Sequence, residues 1–129
     1  MARWLLIITL AATPAAAHHS LAGYDSARSV TLDGLVTEFQ YAQPHPILVI
    51  SVGAPGGAQT WKLEMDNLYE LDEIGMTRDT FRPKDRVTVM GSPGRHQANT
   101  LYLRSLDRPR DGLHYEQVGF TPAMSFRGK

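Results

Sequence analysis

The chain predicts a mainly β fold: a small five-stranded OB-like Greek-key barrel with one short helix between strands three and four. Three observations predict it. Short runs of alternating apolar and polar residues are separated by turns rich in proline and glycine. After the third such run the apolar period lengthens once, to that of a helix. The resulting order, three strands, a helix and two strands, is that of an OB barrel, whereas an up-and-down barrel or a sandwich has no need of the helix. A different α+β roll is the competing arrangement.

The elements follow in chain order. Arg3, the apolar run Trp4 to Ala12 and the small residues Ala15-Ala16-Ala17 form a secretory leader over residues 1–17, too short for a comfortable membrane span. A polar, weakly patterned arm covers 18–29. The barrel domain is expected over 30–108. Its first strand carries Val30, Leu32, Leu35, Val36 and Phe39, with Gly34 as a bulge or bend, and Gln43-Pro44-His45-Pro46 stops it because neither proline can donate to a ladder. Ile47 to Val52 is the second strand, Ala54-Pro55-Gly56-Gly57 a turn, and Thr60 to Met65 the third strand.

Asp66 or Asn67 then caps a helix that places Leu68, Leu71 and Ile74 on one face, and Gly75 takes the position just past its end. Arg82-Pro83-Lys84-Asp85 is a turn into a fourth strand, Arg86 to Met90. A polar loop leads to the fifth, Thr100 to Leu106. The segment 109–129 is a mixed tail, with Phe120, Met124 and Phe126 as its large apolar residues.

The chain has 129 residues, 13 basic and 13 acidic side chains and no cysteine. That is one domain with one core. Disulfides, thiol catalysis and iron–sulfur ligation are excluded, so a metal site must be built from histidine, carboxylate, methionine or the chain terminus. Nucleic acid is not an expected partner, because Arg104, Arg108 and Arg110 alternate with Asp107 and Asp111 as a solvated mixed face rather than a basic patch. There is no nucleophile elbow, phosphate loop or HExxH.

Cleavage after Ala17 leaves His18 first, so a free α-amine lies within chelating distance of its own imidazole. An α-amine of pKa about 7.7–8.0 gives up its proton to a metal near neutral pH. His45 lies in the loop after the first strand and His96 in the loop after the fourth, two loops that flank the ligand-binding face of OB folds. His18, His19, His45 and His96 are therefore the candidate metal ligands, and nitrogen donors with a terminal amine favour copper in tetragonal geometry. The arrangement resembles the histidine brace of several exported copper proteins. The arm must reach these loops, and the expected route is back along the first strand.

Each residue also has a plainer role. His45 between prolines can cap a turn carbonyl, His96 and His114 can be surface side chains, and Met65, Met76 and Met90 can fill gaps in the core. Glu64, Asp66, Glu70, Asp72 and Glu73 match the acidic residues expected around a helix start.

Ala17-His18-His19-Ser20, the stretch from Val30-Thr31-Leu32-Asp33-Gly34 to Phe39, and Gln43-Pro44-His45 resemble a family of small uncharacterised exported bacterial proteins. Its members look like a leader followed by AHHS, a VTLxGxVTEF strand, an NPH turn, a W…E…L…G segment and an L+PGDxVTV strand. Trp61, Glu64, Leu71 and Gly75 match the fourth feature and Arg82 to Val89 the fifth, so the resemblance covers most of residues 17–107. Gln43 replaces the family's asparagine and Lys84 its glycine. The resemblance implies that His18, His19 and His45 belong to the family pattern.

The expected function is that of an exported, periplasmic or secreted, metal-binding protein that handles copper, with an envelope protein as a possible second partner and no membrane association after cleavage. The alternative is a non-metal OB-type module that presents Trp61 and Tyr102 to an envelope protein, glycan or small ligand. An oxidase built on the brace is the least favoured reading, since no broad substrate surface is evident; catalysis is not expected.

Overall fold

The computed structural model describes residues 19–119 and 121–128. The expected leader, residues 1–17, and His18 lie outside them. Strands β1 (Val30–Gln40), β2 (Ile47–Ala54) and β3 (Gly57–Glu64) precede helix α2 (Leu68–Glu73), and β4 (Arg86–Pro93) and β5 (Thr100–Arg108) follow it. A short helical turn, α1 (His19–Ala22), opens the arm. Antiparallel pairing links the strands in the order β3-β2-β1-β4-β5, and a parallel pairing of β3 with β5 closes the ring. That is the predicted OB-like barrel, with the predicted helix between its third and fourth strands.

The core explains why each strand holds its register. On β2, Leu48, Val49 and Ile50 are buried, and Leu63, Val87, Val89, Leu101, Leu103 and Leu106 join them from the other strands. β1 is long enough to serve both sides of the barrel, pairing with β4 from Val30 to Leu35 and with β2 from Leu35 to Gln40. Its irregularity falls between Val36 and Glu38 rather than at Gly34. Gly34 is instead a place of close approach, where an added Cβ would lie 2.8 Å from the Ser51 carbonyl. The turn at 82–85 docks on this irregularity: the Val36 N–H donates to the Asp85 carbonyl and the Lys84 N–H to the Val36 carbonyl, each 2.8 Å.

α2 is capped as its sequence requires. The Asn67 side chain accepts from the Glu70 N–H at 3.0 Å. At the other end Gly75 takes φ +85°, and the Met76 and Gly75 N–H groups donate to the carbonyls of Leu71 and Asp72, the two bonds of a Schellman motif. Leu71 is the buried anchor of the helix.

The segment past Arg108 extends the sheet. β6 (Leu113–Val118) pairs antiparallel with β5, and β7 (Thr121–Phe126) pairs with β6 as the outermost strand. Leu113 and Tyr115 are fully buried, so this hairpin contributes to the core. Arg108, expected on a solvated face, is buried at its base. Its guanidinium donates to Asp85 and Asp111, each 2.8 Å, and stacks over the Phe81 ring. His114, expected to be exposed, is buried beside Asp107 with Nδ1 2.7 Å from the carboxylate, because β6 pairs His114 directly with Asp107.

Candidate functional site

Closure of the barrel brings three chain segments together at the C-terminal end of β3. β2 and β3 pair so that Ile47 faces Glu64, which sets the His45 loop beside Glu64. β3 and β5 pair so that Glu64 faces Tyr102, which sets the β4–β5 loop on its other side. Glu64 lines two shallow clefts, one of about 400 Å³ with Gln43, Pro44 and His45, the other of about 340 Å³ with Tyr24, Gly94 and His96. His45 and His96 therefore flank one carboxylate.

His45 is half-buried and its orientation is fixed. Nδ1 lies 3.1 Å from the Met65 carbonyl, and a carbonyl only accepts, so Nδ1 carries the proton. Nε2 is left with its lone pair and makes no hydrogen bond among the described residues. A metal-ligating histidine is usually held in this way, its second nitrogen donating to a carbonyl or carboxylate. The turn-capping role and the ligand role are thus compatible in one side chain. His96 is exposed in the β4–β5 loop.

The arm reaches this rim by a route different from the one expected. The start of β1 pairs with the end of β4, Val30 facing Gly91, and β4 runs directly into the His96 loop. The arm therefore crosses to that loop instead of retracing β1. The Asp25 N–H donates to the Pro93 carbonyl and the Arg95 N–H to the Gly23 carbonyl, both 2.8 Å, with Tyr24 and Gly94 as a bridge pair. The Tyr24 hydroxyl donates to Glu64 Oε2 at 2.6 Å. Burial and the neighbouring carboxylate both raise the Tyr24 pKa, so the hydroxyl stays protonated and remains a donor.

The remaining candidates lie as follows. The backbone of His19 lies in α1, four residues or fewer before Gly23. Met65 and Met76 are buried in the core as gap fillers. The acidic residues near α2 do not form one site: Asp66 accepts from the Asn67 N–H at 2.7 Å and from Gln117, while Asp72 accepts from the Tyr41 hydroxyl. Glu70, held near Asp66, has its pKa raised by that contact and by burial. Trp61 is half-buried against the core, its Nε1 without a partner among the described residues.

Among the described residues no group of three or more His, Cys, Asp and Glu side chains could hold a metal ion. The rim offers His45 Nε2, His96 and Glu64, and Glu64 is the residue that sequence reasoning assigned to the helix start. Its signal is positional: it follows buried Leu63 on an alternating strand, so its side chain points away from the core at the strand end nearest the His45 loop.

A family model matches residues 6–102: a family of unknown function (DUF6152). No curated protein and no solved structure matches the chain.

Proposed function

We propose, from the premise that this chain belongs to the DUF6152 family, that it is an exported metal-binding protein which takes copper at the rim around Glu64. The mature chain begins at His18, and the terminal amine and His18 imidazole supply two nitrogens. His45 Nε2 supplies a third, with His96, His19 and the free oxygen of Glu64 as further donors. The observation that carries the reading is His45, whose Nδ1–H is committed to the Met65 carbonyl at 3.1 Å while Nε2 is left unpaired beside Glu64. The anchoring of Gly23 and Asp25 on the His96 loop supports it, since it tethers the segment following His18 to the same rim. Imidazole and amine nitrogens suit copper(II), and the absence of thiolate argues against a dedicated zinc structural site. The role is metal handling, by delivery or storage, with no reaction assigned.

The test is copper(II) binding to the processed protein, read by affinity and by electron paramagnetic resonance. A nitrogen-rich signal is expected, with affinity reduced at least about tenfold by His45→Ala and by one extra residue before His18, the loss of one ligand being worth more than about 1.4 kcal/mol. Binding indifferent to both changes overturns the reading.

A further inference from the structure

A cleft of about 570 Å³ that shares Tyr24 with the rim lies between the arm and the faces of β4, β5 and β6. Its volume is within the range of small-molecule sites, about 300–1,000 Å³. Leu21, Met90 and the rings of Tyr24 and Tyr102 provide an apolar body, the two rings tilted at 53° with centroids 5.7 Å apart.

The polar groups of the wall divide into those already engaged and those left over. The Gln117 amide donates to Asp66 and accepts from the Tyr115 hydroxyl at 2.8 Å. The Tyr24 hydroxyl is given to Glu64. Glu116 Oε2 lies 3.5 Å from His114 Nε2. Five hydrogen-bonding groups remain, the Ser26 and Ser105 hydroxyls among them. Ser92 is 2 % exposed and its Oγ has no hydrogen-bond partner. The Tyr102 hydroxyl and the exposed Arg104 guanidinium make no hydrogen bond or ion pair among the described residues. Burial, with Asp66, Glu64 and Glu70 nearby, keeps Tyr102 protonated.

An unpartnered buried hydroxyl is costly unless something else satisfies it. Arg104 is the cation of this wall, and a guanidinium pairs best with a planar anion. The geometry points to this cleft as a binding site for a small organic carboxylate with an apolar or aromatic body, its carboxylate taken by the exposed Arg104 guanidinium. The tyrosine rings hold the body. The site shares Tyr24 with the copper-binding rim but needs no metal.

Backbone amide NMR of the protein as purified from its producing cells, titrated with phenylbutyrate, decanoate and the neutral phenylbutanol, tests this. At least one of the acids is expected to give saturable shifts at residues 90–92 and 102–105, and the alcohol to bind far more weakly. Arg104→Gln weakens acid binding about tenfold, the usual scale of a charged hydrogen bond. No saturable shift with either acid, equal binding of the alcohol, or Arg104→Gln binding like the parent overturns the proposal.

Discussion

Lys84 holds φ at +75°, in the left-handed region that disfavours every side chain with a Cβ. It does so because its N–H must reach the Val36 carbonyl while the next residue, Asp85, accepts from the Val36 N–H, so the turn cannot relax without losing both bonds to β1. Glycine takes this conformation without the steric penalty. Lys84→Gly is therefore expected to stabilise the protein by roughly 0.5–1 kcal/mol in urea unfolding, the relief of strain exceeding the added freedom of the unfolded chain. An unchanged or lower midpoint would mean that the lysine stem contributes packing that outweighs the strain. The turn was readable from the residues; its backbone geometry was not, since a turn of Arg-Pro-Lys-Asp is compatible with several geometries.

At the scale of elements, the barrel strands and α2 were legible because each has a local cause. Alternation around Trp61 and Leu63 marks β3, Asn67 and Gly75 bracket the helix, and the prolines at 44 and 46 separate β1 from β2. The β6–β7 hairpin was not legible, although Leu113, Tyr115 and Gln117 alternate with His114 and Glu116. Its runs are short, and Pro122 argues against a strand unless that strand is an edge, which depends on the whole sheet. β7 is that edge. The same dependence hid Arg108, whose burial is created by the docking of Phe81, Asp85 and Asp111 around it. Half of the candidate site was visible as histidines on two loops; Glu64 and the path of the arm follow from pairings between distant strands. The hairpin is expected to be essential. Leu113→Ala should cost about 3 kcal/mol, since the side chain is 1 % exposed and its removal leaves a cavity in the core. Arg108→Ala should cost about 3 kcal/mol or more, leaving Asp85 buried without its principal partner. Both are measured by denaturant unfolding, and a cost under about 1 kcal/mol for each would show that the hairpin is an accessory.

For the whole molecule, formal neutrality hides carboxylates that respond to acid in opposite directions. The hydrogen bond from Arg108 holds the Asp111 pKa below its ordinary 3.8. A carboxyl group whose folded pKa is depressed adds stability that is full above the unfolded value and lost as pH falls through the folded one. Glu70 has the opposite sign. Its hydrogen bond with Asp66 and its burial raise its pKa above 4.5, so the folded state binds that proton more tightly than the unfolded state does. Stability therefore rises as pH falls through the raised Glu70 value and declines once pH drops below about 3.8, where Asp111 protonates. The maximum should lie in mildly acidic solution. Two substitutions separate the contributions. Glu70→Gln should raise the melting temperature at neutral pH and remove the gain on mild acidification, because the amide mimics the protonated acid beside Asp66. Asp111→Asn should lower it at neutral pH and flatten the decline below 3.8, because no carboxylate then remains to lose. Thermal melts from pH 3 to 8 on the parent and both variants measure this directly. A parent curve with no mildly acidic maximum, or a Glu70→Gln curve parallel to it, would mean that Asp66 and Glu70 do not share a proton in the folded protein.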